Sequence, residues 1–189
     1  MKVRKINPMP IPEDVAYENM YRFHFFGLRI GFQYHDLLIP LTFILRLSMG
    51  WIFLWAGFDK LFNDFSAAGF LVNGTSGPFE STWVSLGKSD SALAVIDPLV
   101  IWGQIAIGFA LILGAAIRLT LILAAAMMFL FYLAQFPPEH DLFMDYFIIY
   151  IIVYMVLGAV GAGRIMGLDK VIKKTSFVQK HKWLRYFLG

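Results

Sequence analysis

Four stretches of roughly twenty predominantly apolar residues constrain this chain more than any other feature; they run at about 38–62, 97–114, 117–136 and 142–162. A hydrocarbon core of about 30 Å is crossed by about 20 apolar residues in an α-helix. Helices suit that environment because every interior backbone group is bonded within its own segment. The reading is an all-α integral membrane protein, a bundle of four transmembrane helices. Composition agrees, with 59% hydrophobic and 15% charged residues, against about 45–50% and about 25% in globular domains. Little polar sequence remains for a second domain. One membrane domain is expected over 38–166, with an N-terminal arm at 1–37 and a tail at 167–189.

Local signals punctuate the runs. Asp97-Pro98 has the composition of an N-cap and first helical turn, and Pro137-Pro138 stops the third run. The connection Gly114–Ile117 is so short that the second and third spans form an antiparallel hairpin. Thirteen of the sixteen Lys and Arg residues fall on the side shared by the arm, the 114–118 turn and the tail. Lys60 and Lys88 fall on the other side and Arg46 within the first span, whereas eight of the thirteen acids lie on the side of Lys60. The positive-inside rule then makes both termini cytoplasmic in a multi-pass plasma-membrane protein. Residues 1–38 lack the pattern of a signal peptide, so insertion by the first span is expected. Small residues at four-residue spacing, Ala106, Ala110 and Gly114, then Gly158 and Ala162, are expected to let helices approach closely in lipid.

Three segments lie outside the spans. Residues 63–96 are too long for a hairpin turn, and Phe65–Val72 reads as a short interfacial or re-entrant helix broken by Gly74, Gly77 and Pro78. Trp83 suits headgroup depth. The arm alternates apolar and polar residues over 21–35, which predicts an extended strand or a hairpin around Gly27. Its aromatic edge calls for cover by lipid headgroups or a partner subunit. The tail sets Val171, Ile172, Phe177, Trp183 and Leu184 among lysines, as in a basic amphipathic helix on the inner leaflet. The net charge of +3 is mostly that tail. It points to membrane surface and not to nucleic acid.

Ionisable groups within a membrane need a reason. Arg46, about two turns into the first span, either snorkels to the inner surface or lines an inner-side cavity. Gln104, about two turns into the second span, suits a hydrogen bond between helices. At the outer mouth the first span ends in Trp55-Ala-Gly-Phe-Asp59-Lys60, and the fourth opens with Glu139-His140-Asp141 and Asp145. A histidine beside carboxylates can handle protons near neutral pH. The same residues also suit a solvated rim with an N-cap at Asp141 and salt bridges. One histidine there supports no metal site. With no cysteine in the chain, disulfides, thiol redox chemistry and Fe–S ligation by this chain are excluded. His24, His35 and His181 lie outside the spans, so two intramembrane axial ligands for a haem are lacking.

The run Leu45-Arg46-Leu…Gly50-Trp-Ile-Phe-Leu-Trp-Ala-Gly57-Phe-Asp-Lys60-Leu, then Ala67-Ala-Gly-Phe, then Gly108-Phe-Ala-Leu-Ile-Leu-Gly114-Ala-Ala-Ile-Arg118-Leu, resembles the DoxX/DoxD-like membrane proteins. Phe136-Pro-Pro-Glu-His140 and Gly161-Ala-Gly-Arg164-Ile-Met-Gly-Leu-Asp169 extend the likeness to about residues 41–170. The family takes its name from the larger subunit of a thiosulfate:quinone oxidoreductase also associated with a terminal quinol oxidase. Other members assist the assembly of other proteins, and many carry an acid near the position of Gln104. The resemblance implies a membrane subunit of a quinone-linked respiratory electron-transfer complex, or an accessory subunit or assembly factor. On that footing Lys60, His140 and Asp145 are the candidate catalytic residues. Arg46, Gln104 and Trp55 are the candidates for holding quinone, and the arm and tail for meeting other subunits.

Overall fold

Apolar length becomes helix in the computed structural model, which describes residues 20–25, 28–138 and 144–188, with backbone alone before residue 37. Contacts divide the chain into a small unit, residues 1–41, and a main unit, residues 42–189. In the small unit β1 (Met20–Phe25) and β2 (Leu28–Gln33) form an antiparallel hairpin in which Met20 faces Gln33 and Phe25 faces Leu28. Helix α1 (Tyr34–Phe62) begins in that unit and continues into the main one.

The main unit adds α2 (Ala68–Asn73), a 3-10 turn (Gly77–Phe79), α3 (Glu80–Gly87), α4 (Asp90–Leu113), α5 (Ile117–Ala134) and α6 (Tyr146–Val160). Among the described residues three helices, at Leu37–Phe62, Asp90–Leu113 and Ile117–Ala134, are long and apolar enough to cross a membrane, and α6 is a shorter apolar helix. Their outward faces match: Val95, Leu99, Trp102 and Ile122 are each about 60% exposed or more. Water does not tolerate such a continuous apolar surface on a monomer, whereas lipid does. This is a membrane protein in contact with lipid.

Two boundaries differ from expectation. Helix α4 starts at Asp90, not near Asp97, because Ser89 caps it by accepting from the Ala92 N–H and Asp90 sits in its first turn. Pro98 therefore lies inside the helix, and Asp97 accepts instead from the Ala67 N–H at 2.7 Å. That bond ties the segment before α2 to α4. Helix α6 is capped by Asp145, whose carboxylate accepts from the Tyr146 N–H, and has fifteen residues. The expected cap at Asp141 falls outside the described residues.

The helices run alternately up and down. Gly114, left-handed at φ 67°, and Ala116 turn α4 into α5, and α5 packs along α6. Between them lies a core of Phe53, Leu111, Ile117, Ala124, Tyr154 and Leu157. The closest approach of α1 and α4 does not use the row Ala106, Ala110 and Gly114; Ala106 faces outward. It uses Gly50, Gly57 and Gly108. A Cβ on Gly108 would stand 2.7 Å from the Leu54 nitrogen and 2.9 Å from the Gly50 oxygen, both backbone atoms that can yield only if the helices separate. Gly108→Ala is therefore expected to lower stability by about 1–3 kcal/mol, the usual effect of overpacking, read from denaturation in mild detergent.

Residues 63–96 hold two short helices where one was expected. Gly87 in α3 seats against Leu71 and Val72 of α2, and the Ser76 N–H donates to the Ala134 carbonyl at 3.0 Å. The segment thus folds back onto the ends of the long helices. The tail is not one amphipathic helix either. It breaks into α7 (Asp169–Ile172), α8 (Ser176–Lys180) and a 3-10 piece (Lys182–Tyr186), with Val178 and Leu188 buried and Trp183 exposed. Its first piece is held by Leu168 and Asp169 N–H groups donating to the carbonyls of Leu113 and Gly114, so it follows that turn and not a continuous helical axis.

Candidate functional site

Lys60 and Arg46 sit fourteen residues apart on α1, about 21 Å at 1.5 Å per residue. They mark two differently built ends of the bundle.

At the Arg46 end the polar groups are largely consumed by structure, although the Arg46 Nε is buried without a partner among the described residues. Arg46 is fully buried, and its guanidinium donates to the carbonyls of Ala162 at 2.6 Å, Ile165 at 2.8 Å and Met166 at 3.1 Å. Asp169, also fully buried, supplies countercharge and accepts from the Ala116 and Ile117 N–H groups at 2.6 and 3.0 Å. Those donors open α5, where an anion is favoured by the orphan N–H groups. Gly114 and Gly167 have no room for a Cβ, which would meet the other's backbone or the guanidinium. The result is a buried latch joining α1, the α4–α5 turn and the chain after α6. Of the two roles open to Arg46, neither snorkelling nor cavity lining describes it.

At the Lys60 end lies a cavity of about 460 Å³. Its walls come from the matching ends of α1, α4, α5 and α6, and the 63–96 segment roofs it through Phe70, Leu71 and Trp83. The lining is mainly apolar, with Phe131 and Phe147 meeting at a ring-centroid distance of 5.9 Å. Leu99 and Leu130 line it and are also more than half exposed, so one edge of the cavity opens towards the lipid-facing surface.

Few polar groups reach this space. The Lys60 ammonium donates to the Ala56 carbonyl at 3.2 Å and stands 5.3 Å from the Phe65 ring centroid. Gln104 is buried, and its Oε1 has no hydrogen-bond partner among the described residues. The Trp83 Nε1 is likewise buried and unpartnered. Buried polar atoms are nearly always satisfied; of the four that lack a partner among the described residues, Arg46 Nε and the Tyr154 hydroxyl lie elsewhere, and the Gln104 and Trp83 atoms belong to residues that line the cavity. A volume in the usual range of small-molecule sites, with convergent polar groups on an apolar wall, is what such sites look like.

The sequence-derived candidates therefore separate. Lys60 and Gln104 line the same cavity. Asp145 does not line it; it caps α6 immediately before Tyr146, which does. Trp55 faces a separate exposed groove with Trp51, Phe58 and Asp59, and Arg46 belongs to the latch. His140 lies outside the described residues. Sequence reasoning missed Trp83, Gln135 and Tyr146 as lining residues. The only signal for Trp83 was an indole in a short apolar segment, which reads equally well as an interfacial anchor. Among the described residues no group of three His, Asp or Glu side chains is placed to hold a metal.

Fold and site together define a helical integral membrane protein with a ligand-sized cavity at one end of its bundle. A comparison with protein-family models matches residues 41–135 to DoxX, and the chain belongs to the DoxX family. The match runs from Leu41 to Gln135 and so carries Arg46, Lys60, Trp83 and Gln104; α6 and Asp169 lie beyond it. No curated protein and no solved structure matches the chain.

Proposed function

We propose that this chain is the membrane subunit of a quinone-linked electron-transfer complex of the DoxD type, with quinone held in the cavity at the Lys60 end. The observation that carries the reading is the pairing of an apolar, laterally open cavity with unsatisfied polar atoms on Gln104 and Trp83. A quinone would be held by that lining, Phe131 and Phe147 supplying apolar wall and Trp83 and Lys60 supplying hydrogen-bond donors. Bound quinone supplies two-electron, two-proton chemistry. Lys60 would bring its amino group beside that position, and the apolar walls would keep water away.

All four long helices cross the plasma membrane in this reading, with both termini cytoplasmic. The fifteen residues of α6 rise about 22 Å, and the described chain at 144–145 adds to that length. The basic residues of the latch end, Arg118 and Arg164, are exposed and suit anchoring at the inner surface. With no cysteine here, any Fe–S centre of the complex would belong to a partner subunit, met through the arm or the tail. A non-catalytic accessory role is the alternative and follows from the same lack of an intrinsic redox centre.

The test is a gentle-detergent purification with partner identification, followed by thiosulfate-dependent quinone reduction on the same sample. Lys60→Ala is expected to lower the rate at least about fivefold, and His140→Ala to lower it as well. A purified complex whose turnover is unchanged in both variants would sink the catalytic reading and leave the accessory one.

A further inference from the structure

Five polar side chains line the cavity at the Lys60 end: Lys60, Trp83, Gln104, Gln135 and Tyr146. An ammonium and an indole N–H only donate, the two amides and the phenol donate as well as accept, and none of the five only accepts. Three acids are chain neighbours of lining residues, Asp59 of Lys60, Asp97 of Ile96 and Asp145 of Tyr146, and none of the three lines the cavity. Each is engaged elsewhere. Asp97 accepts from the Ala67 N–H and Asp145 from the Tyr146 N–H. Asp59 accepts from the Asn63 side chain at 2.9 Å and faces the separate groove of Trp55. Its field reaches Lys60, but its carboxylate stays outside. The Lys60 amino group therefore meets no carboxylate within the apolar walls, and its protonated form gains most from an anion that the ligand brings.

The way in selects the kind of anion. Leu99 and Leu130 line the cavity and are 66% and 53% exposed on the lipid-facing surface, so a molecule dissolved in the bilayer enters sideways. A small inorganic anion would lose its hydration against walls that are mainly apolar. A diacyl phospholipid would carry a phosphodiester and its esters beneath the roof of Phe70, Leu71 and Trp83. A fatty acid has a smaller anionic head, which only accepts once ionised, and a tail that can continue into lipid. Lys60 stands two residues before the end of α1, near the depth at which a carboxyl group lies in a leaflet. We infer that the cavity is a site for a free long-chain carboxylate, with Lys60 as its cationic partner and the tail leaving between Leu99 and Leu130. When the acid enters neutral, its proton passes to the Lys60 amine and an ammonium–carboxylate pair remains. The carboxylate site stands without the quinone reading; where both hold, two ligands compete for one cavity.

The experiment uses the full-length chain in phosphatidylcholine nanodiscs, photolabelled with a palmitic acid analogue that carries a mid-chain diazirine. Adducts are mapped by mass spectrometry and are expected on the peptides that hold Leu99 and Leu130. Unlabelled palmitate is expected to block them at a concentration about tenfold lower than hexadecanol, the gain of a charge-assisted contact. Phosphatidylglycerol in the disc is expected not to block them. Lys60→Gln should bring palmitate and hexadecanol level, whereas Lys60→Arg, which keeps a cation, should hold the preference within about threefold. Equal competition by palmitate and hexadecanol on the parent chain, adducts confined to the groove of Trp51 and Phe62, or a block by phosphatidylglycerol would each overturn the carboxylate site, and none of these needs a variant to fold. A preference that survives Lys60→Gln overturns it too. Decylbenzoquinone is added as a further competitor: if it fails to displace a probe that palmitate does displace, the quinone reading fails and the carboxylate site stands.

Discussion

Replacing Arg46 by methionine is expected to destabilise the bundle by about 3–5 kcal/mol, the usual effect of removing one partner from a buried charged network. The guanidinium satisfies three carbonyls, at Ala162, Ile165 and Met166, and faces the buried Asp169. Methionine matches the stem but offers no donor. Three carbonyls and a carboxylate are then left in a space sealed from water, in a segment already surrounded by lipid. Arg46→Lys is expected to recover only part of the loss, since an ammonium cannot reproduce the planar fork. Asp169→Ala should be strongly non-additive with Arg46→Met, because both act on one network. The measurement is a denaturation midpoint in mild detergent with recovery of folded protein from membranes. A change within about 0.5 kcal/mol, as for ordinary surface sites, would show the latch to be dispensable.

The second large effect is expected at Gly77, where the roof meets the end of α5. Gly77 adopts φ 79°, and a Cβ there would lie 1.8 Å from the Phe136 carbonyl oxygen. Alanine meets both a left-handed backbone penalty of about 1–2 kcal/mol and an overlap that only backbone movement relieves. The combined effect is roughly 2–5 kcal/mol, concentrated where Ser76 bonds to Ala134 and closes the cavity. Gly77→Ala is therefore expected to weaken binding of the cavity ligand at least about tenfold and to speed proteolysis near 74–79. Gly69→Ala is the matched control. A Cβ at Gly69 meets nothing within 4 Å, and alanine favours the helix, so binding and stability should hold or improve. Equal behaviour of the two variants would mean that the roof does not shape the site.

The two ends of the bundle also explain which candidate residues a reader of the chain could find. Lys60 and Gln104 stand out because charge and amide are rare in apolar runs, and both line the cavity. Arg46 stands out by the same signal yet serves the latch. An isolated residue type carries its desolvation penalty but not the identity of the group that relieves it. Trp83 and Tyr146 were hidden for the converse reason. Aromatic residues in an apolar segment are common, and only folding 63–96 back over the bundle turns one of them inward.

Apolar length and its interruption by Gly and Pro were enough to determine that this is a helical membrane protein of up-and-down helices, because each segment must satisfy its own backbone in lipid. Helix ends were less legible: Asp97-Pro98 has the composition of a cap, yet Ser89 and Asp90 start the helix and Asp97 binds the Ala67 N–H. That choice depends on a partner thirty residues away, and no local pattern contains it. The tertiary structure alone decided that Arg46 and Asp169, 123 positions apart, close one end, and that a roofed cavity with two unsatisfied polar atoms forms at the other. Both are products of chain segments brought together by packing, where the free energy of a buried polar group is set by its neighbours in space.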